Sequence, residues 1–220
     1  EGLFAYEIVK KVLFNQSFDE EIYDLMWKNQ KDVLKGCKTN VLVMADTSGS
    51  MLCYNAIPFA TSIGMALYTA ERNTGIFKNH FLTFSESPNL CEVKGITIKD
   101  KVSNIPTIIE STDIDKAFKL ILDTAIENKI PQKELPSHLL IISDMEFDLG
   151  VYSNGGTNFE GWKKAFKEAG YKLPIIIFWN VAGSTRGVPV TKFDNDVAMI
   201  SGFSTNILEN ILIETDSPYL

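Results

Sequence analysis

The chain has 220 residues, 21 of them Lys or Arg and 28 Asp or Glu, which leaves a net charge of −7. With 45% hydrophobic residues, 14 Gly and 8 Pro, it can bury the core of one large domain, with or without an extension, and is neither collagen-like nor wholly disordered. The acidic balance argues against a nucleic-acid footprint spread over the whole surface, and no window holds the roughly 18 uninterrupted apolar residues of a membrane span.

The first stretch reads as helical. Leu3, Phe4, Ile8, Val12 and Leu13 fall on one side at helical spacing. Ser17 or Asp19 then caps a second helix, with Glu20 and Glu21 in its first turn; Ile22, Leu25, Met26, Val33 and Leu34 form its apolar face and Gly36 stops it. Residues 1–37 are therefore expected to be a helical lead-in ahead of a domain at 38–220. Glu1 and Glu7 stand where a signal peptide would be basic. The cysteines, Cys37, Cys53 and Cys91, are odd in number and lack CxxC spacing. Both features predict a cytoplasmic protein whose thiols are reduced, small core hydrophobes.

The pattern changes at Asn40. The run Asn40–Ala45 is almost continuously apolar, as in a strand covered on both faces, and ends in the polar loop Asp46–Met51. A helix is predicted over Ile57–Arg72, a strand over His80–Phe84, and a short alternating edge strand within Cys91–Ile98. A helix from Ile114 to about Glu127 presents Ala117, Phe118, Ile121, Leu122 and Ala125 inward. Further buried strands are expected at His138–Ser143, Pro174–Trp179 and Val197–Ser201. Helices are expected from an Asn158 cap to Ala169 and from Thr205 to about Ile213. Strands alternating with helices predict an α/β, Rossmann-like, doubly wound sheet. It should be mostly parallel, with one short antiparallel edge strand and helices on both faces. In such sheets ligands sit beyond the carboxyl ends of the strands, near the point where strand order reverses.

Three loops at that edge carry oxygen-bearing side chains. Asp46, Ser48 and Ser50 alternate on one tight turn and can converge on a point, with Gly49 expected to spare the turn a Cβ clash. Carboxylate and hydroxyl oxygens are hard ligands suited to Mg²⁺ or Mn²⁺, and Mg²⁺ keeps several waters, so few direct protein ligands suffice. Thr112 can add a hydroxyl and Asp144 a second carboxylate. A plainer reading makes Ser48 and Ser50 helix caps, with Asp46 bonded to the loop backbone.

Asp46-Thr-Ser-Gly-Ser-Met51 resembles the DxSxS motif of von Willebrand factor A (vWA) domains, Ser111–Asp115 their threonine loop, and Ile142–Met145 their second aspartate loop. The resemblance covers about residues 38–213. It implies a metal-ion-dependent adhesion site (MIDAS), in which the metal completes its shell with an acidic group of a partner protein. On that basis Ser48, Ser50 and Thr112 are direct or near-direct ligands of Mg²⁺ (or Mn²⁺), and Asp46 and Asp144 act mainly through water. Ser143–Asp148, Phe178–Val181 and Ala198–Ser204 look like an uncharacterised family of viral, bacterial and plant proteins. That family is related to the TROVE proteins of the Ro ribonucleoprotein. That resemblance implies that the lead-in is the end of a larger helical region; RNA binding is not carried over to this chain, and RNA would be contacted only through a region preceding residue 1.

Other chemistry is weaker in the sequence. Glu146 and Asp148 could add acid for a hydrolytic two-metal site or simply form a solvated loop. Asp46 as a phosphoryl-accepting nucleophile would want a second acid where Ser48 stands, and a basic clamp that is not evident. His80 and His138 precede strands and read as structural. Asn154, Gly155, Gly156 and Thr157 could cradle an anion or form a turn into the Asn158 cap; with Glu146 they are the expected rim for a partner. The leading expectation is a non-enzymatic binding module for an acidic protein partner. The alternatives are a metal-dependent phosphoester hydrolase and a ribonucleoprotein component.

Overall fold

The computed structural model describes residues 3–14, 19–36, 40–83, 87–106, 114–144, 159–181, 192–194, 197–202, 206 and 208–210. Two helices, α1 (Ala5–Phe14) and α2 (Glu20–Lys28), lead into β1 (Val41–Ala45) and α3 (Cys53–Arg72). The chain continues through β2 (His80–Thr83), β3 (Leu90–Glu92), α4 (Ile98–Ser103), α5 (Ile114–Glu127) and β4 (His138–Ser143). It closes with α6 (Phe159–Glu168), β5 (Ile175–Asn180), β6 (Lys192–Asp194) and β7 (Val197–Ser201). Residues 206 and 208–210 are helical.

The seven strands form one sheet in the order β3-β2-β1-β4-β5-β7-β6. The β1–β2, β1–β4, β4–β5 and β5–β7 pairs are parallel, whereas β3 and β6 are antiparallel edges. The mostly parallel α/β sheet matches the sequence reading, with a second antiparallel edge, β6, that the sequence did not announce. Strand side chains alternate between two cores. Val41, Val43, Ala45, Leu140, Ile142, Ile177 and Trp179 pack with α1 and α3, while Leu42, Met44, Leu139, Ile141, Ile176 and Phe178 pack with α5 and Phe166 of α6. Burial on both faces is why these strands are apolar without alternation. The inner face of α5 is Ile114, Ala117, Phe118, Ile121, Leu122 and Ala125. The helical stretch Gly49–Arg72 is long and apolar enough to cross a membrane by composition, but here it is a core helix, two thirds buried.

The lead-in departs from the sequence reading. In α1 the buried residues are Ala5, Ile8 and Val9, while Phe4 and Leu13 are exposed. The cause is α3: a Cβ on Gly64 would lie 3.2 Å from the backbone carbonyl carbon of Ala5, so the helices meet backbone to backbone along the Ala5 edge. In α2 the cap is Asp19, whose side chain accepts from the Ile22 N–H, but Ile22, Leu25 and Met26 are exposed. Trp27 is the anchor, buried with its Nε1–H donated to Glu71 Oε2 at 2.8 Å. Val33 and Leu34 are buried from a turn beyond the helix. Ile98, predicted to end an edge strand, instead starts α4, which a Thr97–Asp100 capping box nucleates. Cys53 is exposed and Cys91 half-buried, contrary to the expected core thiols, and neither forms a disulfide; Cys37 lies outside the described residues.

Strand order reverses between β1 and β4: β2 lies on one side of β1 and β4 on the other. Their carboxyl ends frame the crevice in which ligands of such sheets bind.

Candidate metal centre

Asp46 is the first residue past β1. Its backbone N–H donates to Ile142 O at 3.0 Å, which carries the parallel ladder one step beyond the strand. The side chain is 2% exposed. Asp46 Oδ1 accepts from the Ser48 N–H at 2.8 Å, and Oδ2 accepts from the Ser143 hydroxyl at 2.6 Å. A carboxylate so buried must be hydrogen-bonded to be tolerated, and here both oxygens are held.

The loop then turns through a short 3-10 segment, Gly49–Leu52, pinned by the fully buried Met51. Ser48 and Ser50 stay half-buried, their Oγ atoms 3.1 Å apart. Gly49 has open space where a Cβ would stand and no left-handed φ, so the expected steric need for glycine is not found. Tyr54, Asn55 and Ala56 follow at φ 50°, 57° and 55°, and regular right-handed turns start only at Ile57, with Pro58 in the first of them. That is where the sequence put the helix.

The half-buried Asp144 comes directly after β4. Ala45 pairs with Ile142, so Asp46 is level with Ser143, and Asp144 lies one residue further out on the neighbouring strand. The ladder also continues on the far side, where the Val181 N–H donates to Ser143 O at 3.0 Å. The structure thus gathers Asp46, Ser48, Ser50 and the end of β4 at one crevice. Thr112, Glu146, Asn154, Gly155, Gly156 and Thr157 lie outside the described residues. Ser143 was not singled out from the sequence; the available signal was a hydroxyl closing an apolar run just before Asp144.

The donor set fits a hard divalent cation. Two carboxylates and the hydroxyls of Ser48 and Ser50 offer oxygen donors of the kind such a cation takes, and among the described residues no Lys or Arg is paired with Asp46. No group of three or more His, Cys, Asp or Glu able to hold a metal occurs among them. The histidines stand apart. His80 Nδ1–H donates to Lys78 O at 2.8 Å. His138 opens β4 at the opposite end of the sheet, with Ser137 Oγ 2.8 Å from its Nδ1. Burial, aided by the Lys172 charge, lowers its pKa from 6.5 to about 4.

Comparison with known proteins agrees with this architecture. "Uncharacterized protein L728" of Acanthamoeba polyphaga mimivirus is 30% identical over 217 residues, which is 96% of this chain and 37% of the viral protein. The crystal structure of Deinococcus radiodurans RO (RSR) protein superposes with a TM-score of 0.55 at 14% identity, over 98% of this chain and 45% of that one. The chain thus spans less than half the length of either protein, and the structural likeness shows a fold shared with the Deinococcus protein. A family model described as "Domain of unknown function (DUF7788)" matches residues 40–217, from the threshold of β1 onward, and the chain belongs to that family.

Proposed function

We propose that this chain is a divalent-cation-dependent binding module, a MIDAS, that captures an acidic group of a partner protein in the cytoplasm. The observation that carries the reading is the cluster at the strand-order reversal, where a doubly bonded, buried Asp46 stands behind the paired Ser48 and Ser50 hydroxyls, with Asp144 on the adjoining strand end. Ser48, Ser50 and Thr112 would hold Mg²⁺ or Mn²⁺, and Asp46 and Asp144 would act mainly through its waters. The ion would supply an outward electrophilic position. Hydroxyl-rich ligation supports this use, because few carboxylates neutralise the charge and an incoming carboxylate is attracted. Glu146 and 154–157 would be the rim that selects the partner.

Titration calorimetry with Mg²⁺ and Mn²⁺ tests the reading. One saturable site is expected, lost in Asp46→Ala and weakened in Thr112→Ala. Absence of binding at millimolar metal refutes it. Turnover of a phosphodiester that vanishes in Asp144→Ala would replace it with a hydrolase. Tight, salt-sensitive RNA binding by this chain would contradict the charge argument.

A further inference from the structure

We infer that Ser143 is a positioning residue for the cation, an inference that rests on the reading above. Ser143 is fully buried and belongs to β4, whereas the carboxylate it serves belongs to the loop after β1. Its hydroxyl proton goes to Asp46 Oδ2 at 2.6 Å, within the range of a charge-assisted O–H···O⁻ bond. The Ser48 amide takes the other oxygen at 2.8 Å. Two donors from two elements fix the rotation of the carboxylate plane, and each oxygen keeps a lone pair for a further donor.

The same residue also positions the second carboxylate. Its backbone oxygen is held by the Val181 N–H at 3.0 Å, and Asp144 follows it directly. Ser143 is therefore the one described residue whose side chain sets Asp46 while its backbone leads into Asp144, and it fixes the spacing of the two acids across the crevice. A Ser48 or Ser50 hydroxyl can reorient around an incoming ion; Asp46, held by the Ser143 hydroxyl as well as the Ser48 N–H, cannot. Outer-shell partners of this kind typically change metal affinity about 10- to 100-fold when removed.

The test is Mn²⁺ affinity by calorimetry on wild type, Ser143→Ala, Ser143→Thr and Asn73→Ala, with the thermal midpoint of each in EDTA. Asn73 lies at the far end of β1, so that variant reports destabilisation remote from the crevice. Ser143→Ala should bind Mn²⁺ about 10- to 100-fold more weakly. Ser143→Thr, which keeps the hydroxyl, should recover most of the loss, and Asn73→Ala should bind as wild type does even with a lowered midpoint. Wild-type affinity in folded Ser143→Ala overturns the inference and leaves the cation reading standing. No binding in wild type overturns both. Should Ser143→Ala not fold, Ser143→Cys keeps the volume and weakens the donor, and unchanged affinity in that variant is equally fatal.

Discussion

The amino end of β4 gives a quantitative handle on the fold. His138 is 1% exposed, and its pKa lies at about 4 rather than 6.5, first because burial disfavours the imidazolium and second because Lys172 repels it. The unfolded chain therefore takes up a proton near pH 6.5 that the folded chain refuses until about pH 4. Stability from this group is complete above pH 6.5, falls as the pH drops through the interval, and stops falling below about 4. At about 1.4 kcal/mol per pH unit, the whole interval amounts to about 3 kcal/mol. Urea unfolding of wild type and His138→Leu at half-unit steps from pH 7.5 to pH 4.5 isolates the effect, because other titrating groups are common to both proteins. The wild-type stability should decline more steeply than the variant's across the interval, at close to the full slope of one proton. Parallel curves, or a His138 imidazole seen by NMR to titrate near 6.5, would refute the assignment of a buried neutral ring.

Two further substitutions probe contacts that hold the fold together away from the crevice. Gly64→Val should push α1 off α3, since even a Cβ would sit 3.2 Å from the Ala5 backbone; overpacking of this kind costs about 1–3 kcal/mol, read by denaturant unfolding and by faster proteolysis of the lead-in. Asn73→Leu should cost about 2–4 kcal/mol, because the Asn73 amide accepts from the Val41 N–H at 3.2 Å and donates to Val41 O at 3.1 Å, leaving two buried backbone groups unmatched when removed. Unchanged urea midpoints would show these contacts to be dispensable.

Strands β1, β4 and β5 are legible because burial on both faces demands unbroken apolar runs, and the convergence of Asp46, Ser48 and Ser50 follows from alternate residues on one tight turn. The inner face of α5 follows from its spacing. The misread features depend on partners remote in sequence. In the α1 stripe Ile8 is buried and Leu3 and Val12 pack on the core, but Phe4 and Leu13 are turned out where Ala5 meets Gly64. Likewise α2 is oriented by Trp27 reaching Glu71, so an apolar stripe alone is incomplete. The six-residue α4 is too short for periodicity, although its capping box was readable. Ser143 needed the register of β1 against β4, a fact no stretch of sequence contains.

The Asn73 contact has a wider consequence. β2 pairs with β1 only from Met44 and Leu82, so at Val41 a side-chain amide stands in for the missing strand. Nearby, Asn40 Oδ1 takes the Thr74 hydroxyl, and Asn40 O takes the Ser137 amide. The lower rim of the sheet thus knits itself shut with its own amides and hydroxyls, while the upper rim spends its polar groups on the crevice. Substitutions at the crevice leave these lower-rim contacts intact, so the stability of this end and the chemistry of the other can be changed separately.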